Sequence, residues 1–173
     1  MIYLDSAATA EYSSIDDIIV DTIATAMRDS WMNPSSLYAA NVKDKINKCR
    51  ANIAEFIGSK SEEIYFTSGS SESNNWAIRG WVDNSLYNNY GVTHIITTQI
   101  EHKSILKLLE NNDALEAKIH YCNVDSNGFV SYQNLESFLC KYKDQPILVS
   151  INMANNEIGT IQAVRLLADL VHK

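Results

Sequence analysis

Three short stretches put hydroxyls, amides, an acid and an imidazole where β-rich runs give way to helix-period segments. In open α/β sheets that edge, beyond the carboxyl ends of the strands, is where ligands bind. The first stretch is Ser68-Gly69-Ser70-Ser71-Glu72-Ser73. Its glycine lets the backbone turn tightly, and the free N–H groups of a helix start favour an anion to which Ser70 and Ser71 can add hydroxyl donors. The same serines would also serve as ordinary helix caps. It is neither a Walker loop nor a G-x-G-x-x-G turn. The second stretch, "QIEHKSIL", sets His102 at a helix start, as a capping or surface residue or as an imidazole able to stack on a planar ring or relay protons. The third, "ANNEIGTIQ", offers adjacent amides at Asn155 and Asn156, suited either to turn formation or to fixed hydrogen bonds with a ligand.

Positioning these clusters requires a sheet. From residue 60 onward β-rich runs at 63–67, 93–98, 118–122 and 147–153 alternate with helix-period segments at 71–82, 102–111, 132–143 and 161–172. Four β-then-α units with apolar strands predict an α/β fold: a three-layer α/β/α arrangement around a mostly parallel sheet. Two more helices are expected at 15–29 and 36–57. The second carries Val42, Ile46, Cys49, Ile53, Phe56 and Ile57 on one stripe, which should pack against the sheet or a neighbour, and it is stopped by Gly58. "DSNG" at 125–128 reads as a turn. The closing amphipathic segment has no following strand, although the rhythm calls for one, so the chain is expected to break off within its architecture.

Composition narrows the partners. With 173 residues, 46% of them hydrophobic, the chain can bury a core. A formal charge of −7 opposes binding to nucleic acid, which needs a basic face. No leader pattern opens the sequence and no apolar run approaches the roughly 18 residues of a membrane span, so a cytoplasmic protein with no membrane attachment is expected. Cys49, Cys122 and Cys140 lack C-x-x-C spacing and lie in apolar-periodic segments, which predicts buried small hydrophobes. No histidine spacing indicates a metal site.

Five stretches, in chain order, carry a family resemblance: "YLDSAATA" (3–10), "NPSS" (33–36), "FTSGSSESNN" (66–75), "HIITTQIEHKSIL" (94–106) and "LVSINMANNEIGTIQ" (148–162). Together they resemble the cysteine desulfurases of the NifS/IscS type, fold-type I enzymes of the class V aminotransferase group that use pyridoxal 5′-phosphate. The resemblance implies an incomplete large domain of such a transferase, with residues 1–15 a substrate-side segment and 16–173 the amino-terminal part of the cofactor-binding domain. It also implies that Ser70 and Ser71 hold the cofactor phosphate, that His102 stacks on the pyridine ring and aids proton transfer, that Asn156 bonds near the ring's phenolic oxygen, and that Asn33 borders the substrate. The implied substrate is L-cysteine. The implied assembly is a homodimer that hands sulfur to an acceptor or iron–sulfur scaffold protein.

The family's aldimine lysine, the aspartate on the pyridine nitrogen, the persulfide cysteine and the carboxylate-binding arginine are expected outside these 173 residues. No desulfurase activity is therefore expected of this chain alone. Tyr38 and Asn41 stand where the family often has histidine and glycine, and Asn41 is expected to keep a left-handed turn. Two alternatives are a selenocysteine lyase or other class V enzyme, and a non-catalytic remnant that dimerises or binds a partner.

Overall fold

The computed structural model describes residues 16–110 and 115–173. The segment 1–15, with "YLDSAATA", lies outside the described residues. The chain divides into two compact units, one ending at Phe66 and the other running from Thr67 to Lys173.

In the first unit, helices α1 (Asp16–Asp29) and α2 (Ala40–Ile57) dominate. Gly58 ends α2 in the left-handed conformation with φ 72°, its N–H closing onto the carbonyls of Ala54 and Glu55. A left-handed residue at a helix end favours glycine because no Cβ opposes it. Asn41 lies inside α2 and is not left-handed, contrary to the expected turn, because the helix already starts at Ala40. The apolar stripe of α2 is only partly used. Val42 is buried, whereas Phe56 is 91% exposed and Ile57 60% exposed.

The run 63–67, a strand by its composition, joins no ladder among the described residues. Residues Ser61–Glu63 form a single 3-10 turn, and Ile64 follows in extended conformation. β-Propensity makes a strand only where a neighbour takes its hydrogen bonds. Here a side chain does so instead. Arg50 of α2 donates from Nε to the carbonyl of Ile64 at 3.2 Å and lays its guanidinium 5.3 Å from the Phe66 ring centre.

The second unit is the sheet. Strands β1 (Thr93–Thr97), β2 (Ala117–Tyr121) and β3 (Ile147–Val149) are all parallel, in the order β2-β1-β3. The connecting helices are α3 (Ser70–Tyr87), α4 (Lys103–Glu110), α5 (Tyr132–Lys141) and α6 (Val164–Val171). Alternation along the strands sorts the layers. Ile95 and Leu148 face α3 and α4 in one core with Ile78, Val82, Leu108 and Leu109. Ile96, Ile147 and Val149 face α5 and α6 in another, with Leu135, Leu167 and Leu170. Central β1 is buried throughout, as a parallel strand covered on both sides must be. Helix α3 runs past the expected 82 because Val82 and Ser85 are buried, so packing carries the helix through a polar stretch.

Cys122 is buried as expected, but Cys49 and Cys140 are exposed. Both lie on helix faces that stay open to solvent. The turn at 125–128 forms, with Asp125 Oδ1 accepting from the N–H groups of Asn127 and Phe129, and Gly128 at φ 81°.

Candidate active site

The start of α3 is built as a bare cluster of donors. Its N-cap position is Gly69, which supplies no side-chain hydrogen bond. Neither the hydroxyls nor the N–H groups of Ser70 and Ser71 find an acceptor among the described residues. The capping reading of these serines therefore fails. The turn is held by its neighbours instead: Glu72 Oε2 accepts from the N–H and hydroxyl of Ser68 at 2.6 and 2.7 Å, and the Thr67 and Ser73 hydroxyls pair at 2.7 Å. The Ser68 hydroxyl, and then its N–H, lower the pKa of Glu72 and keep it ionised. With the supporting bonds made elsewhere, two hydroxyls and the first N–H groups of an eighteen-residue helix remain for an anion.

His102 precedes α4 and caps it. Its carbonyl accepts from the N–H groups of Ile105 and Leu106, and its Nδ1 accepts from the N–H of Ser104 at 3.1 Å. The Ser104 hydroxyl lies 2.8 Å from the same Nδ1. His102 stays exposed and its Nε2 takes no hydrogen bond among the described residues, so the capping and ligand-facing readings are compatible.

The loop after β3 is locked by the acid next to His102. Glu101 is 6% exposed, and its Oε1 accepts from the Asn152 N–H at 2.7 Å and the Thr98 hydroxyl at 3.2 Å. Its Oε2 is buried without a partner. Burial pushes the Glu101 pKa up, against the two hydrogen bonds that lower it. Asn155 extends the lock, donating from Nδ2 to the Ile100 carbonyl at 2.7 Å and accepting at Oδ1 from the N–H groups of Glu157 and Ile158. Gln162 clamps the far side, accepting from the Val130 N–H and donating to the Gly128 carbonyl. Of the two adjacent amides Asn155 is structural, and Asn156 is left exposed with no hydrogen bond from its side chain among the described residues.

Ser71 and His102 line one cavity of about 410 Å³ between α3 and α4, together with Asn75, Arg79, Lys103 and Lys107. Ser70 opens the same helical turn. Asn156 does not line that cavity; it sits in the loop that Glu101 and Asn155 tie to the residues just before His102. Asn33 belongs to the first unit, where its Oδ1 accepts from the Ser35 N–H at 2.9 Å, an ordinary Asx turn. Sequence reasoning missed Glu101, Asn74, Ser104 and Gln162. Only Glu101 carried any signal, as an acid beside the histidine at a strand end.

The donor set suits a phosphorylated aromatic ring: hydroxyls and helix-start N–H groups for the anion, and an imidazole face beside them. Among the described residues no group of acids, histidines and cysteines is placed to hold a metal ion, and no helix is long and apolar enough to cross a membrane.

Comparison with known proteins points the same way. The family model for aminotransferase class-V matches residues 2–173. A cysteine desulfurase IscS of Clostridium botulinum is 36% identical over 171 residues, covering 98% of this chain and 41% of the relative. A putative cysteine desulfurase IscS 1 of Bacillus subtilis is 36% identical over 172 residues, with 98% of this chain and 43% of the relative covered. Among solved structures, a NifS-like protein superposes with a TM-score of 0.79 at 33% identity over 91% of this chain and 42% of its own. SspA in complex with cysteine gives 0.77 at 29% identity over 89% and 43%. The chain thus spans about two fifths of the length of the relatives it matches.

Proposed function

This chain belongs to the aminotransferase class-V family, and from that premise we propose that it carries the phosphate- and ring-holding part of a pyridoxal 5′-phosphate-dependent cysteine desulfurase. The reaction is the conversion of L-cysteine to L-alanine, with the sulfur passed on as an enzyme persulfide. The observation that carries this reading is the cavity shared by Ser71 and His102, with the unpartnered donors at the start of α3 beside it. The cysteine desulfurases among its relatives, and the cysteine bound by SspA, support the choice of substrate.

When bound, pyridoxal phosphate supplies an electron sink; the protein anchors, orients and excludes water. Ser70 and Ser71 donate their hydroxyls and N–H groups to the phosphate, reinforced by the positive end of the α3 dipole. Glu72, the nearest anion in the same turn, has its charge engaged by Ser68. With the cofactor bound, His102 would lay its ring against the pyridine and hold a proton toward the ligand at Nε2, since Nδ1 is occupied by the α4 cap. Asn156 offers its amide to the phenolic oxygen, and Asn33 borders the substrate. The aldimine lysine, the sulfur-accepting cysteine and the carboxylate-binding arginine are not assigned to any of the 173 residues. A homodimer delivering sulfur to an acceptor or iron–sulfur scaffold protein, in the cytoplasm, completes the proposal.

The test compares pyridoxal 5′-phosphate with pyridoxal on the 173-residue protein. Reversible binding that depends on the phosphate, with no aldimine absorbance and no sulfide release from cysteine, is expected. Equal affinity for the two compounds, or sulfide release by this chain alone, would overturn the assignment.

A further inference from the structure

The hydrogen bonds behind His102 fix which of its nitrogens carries the proton. A backbone N–H is only ever a donor, and the Ser104 N–H points at Nδ1 from 3.1 Å. A protonated Nδ1 would face that hydrogen head-on, so the neutral ring carries its proton on Nε2. The Ser104 hydroxyl, 2.8 Å from Nδ1, has a single hydrogen to give. Its direction is set from the other side, because Asn74 Nδ2 donates to the Ser104 oxygen at 2.8 Å and leaves that hydroxyl to donate onward. Donation therefore runs Asn74 to Ser104 to Nδ1. Asn74 and Ser104 are both half-buried. Asn74 stands one helical turn after Ser71 on α3, while Ser104 is on α4, so the relay ties the helix that presents the anion cradle to the ring beside it.

We infer that Asn74 and Ser104 are positioning residues that hold His102 as the Nε2–H tautomer, so that the neutral ring offers its ligand a flat face and a hydrogen-bond donor, not a base. This rests on the reading of His102 as the ring-facing residue, and it adds the direction of the proton. The only basic nitrogen of the neutral ring is engaged by two donors of Ser104, which itself lines the cavity. The Asn74 amide lies outside the cavity lining, so its effect on a ligand acts through the imidazole.

Long-range proton–nitrogen correlation spectra of the nitrogen-15-labelled protein, recorded without ligand at a pH high enough to keep imidazoles neutral, test the inference. The His102 signals should show a protonated Nε2 and an unprotonated Nδ1. In Ser104→Ala one donor to Nδ1 is lost while the backbone N–H remains, and the tautomer ratio should fall about fivefold, the change expected from one hydrogen bond of ordinary net strength. Asn74→Ala should move it in the same direction, and Ser104→Thr, which keeps the hydroxyl, should restore it. A wild-type ring protonated at Nδ1, or a ratio that Ser104→Ala leaves unchanged, would overturn the inference. Because no ligand is present, either result stands apart from whether pyridoxal phosphate binds at Ser70 and Ser71. If the cofactor binds but leaves the Nε2–H signal unshifted, the ligand-facing role of that proton fails by itself.

Discussion

Removing the Ser71 hydroxyl separates a ligand contact from a structural one. Were Ser71 a helix cap, truncation to alanine would cost about 1 kcal/mol of stability. Here its hydroxyl has no partner within the described residues, and the turn is held by the bonds of Glu72 to Ser68 and of Thr67 to Ser73. Ser71→Ala should therefore change stability by no more than about 0.5 kcal/mol, the range of neutral surface substitutions. Binding should respond very differently. A hydrogen bond to a charged group contributes roughly 1.5 to 3 kcal/mol, and about 1.4 kcal/mol is tenfold in affinity. Ser71→Ala should then weaken pyridoxal 5′-phosphate by roughly ten- to a hundredfold and leave pyridoxal unaffected. Ser70→Ala should behave alike, and the double variant should narrow the gap between the two compounds further, leaving only the share held by the backbone N–H groups of the turn. Calorimetric titration with both compounds, beside urea unfolding of each variant, reads all of these quantities. Equal weakening of both compounds, or a stability loss above about 1 kcal/mol with no change in affinity, would refute the anion cradle and return these serines to a structural role.

Other expectations follow from the same geometry. Burial raises the Glu101 pKa above its ordinary 4.5, so between that value and the raised one the folded protein holds a proton that the unfolded chain releases. Stability should fall as pH rises through this window, and Glu101→Gln should flatten that dependence while still accepting from the Asn152 N–H; parallel slopes of urea midpoint against pH in both proteins would contradict it. Gly128 sits at φ 81°, and a Cβ there would run into the Ile158 side chain and come within 3.1 Å of Thr160 Oγ1. Gly128→Ala should cost about 1 kcal/mol or more and hasten proteolysis within 153–162, measured by melting and limited digestion. Thiol labelling of the native protein should modify Cys49 and Cys140 quickly and Cys122 only after unfolding, since Cys122 is 3% exposed and burial raises its thiol pKa; rapid labelling of all three would show that the α5 and α6 core opens readily.

Features governed by local physics were legible in the order of residues. The alternation of β-rich and helix-period segments predicts a parallel α/β/α unit, and β1, β2, β3 and their helices stand where it puts them. Gly58 stops α2 and "DSNG" turns, because caps and turns depend on a few neighbouring residues. Packing settled the rest, because burial and pairing depend on residues far apart in the chain. The run 63–67 has strand composition, yet Arg50 takes the Ile64 carbonyl and no ladder forms there among the described residues. Cys49 has the periodicity of a core residue but is exposed. Asn155 and Asn156 are indistinguishable as letters, yet the carbonyl of Ile100, 55 positions upstream of Asn155, takes its amide and joins the local bonds to Glu157 and Ile158 in making it a brace, while Asn156 is exposed. In the same way, no local pattern marks Asn74 and Ser104 as partners; the packing of α3 on α4 brings them together behind His102.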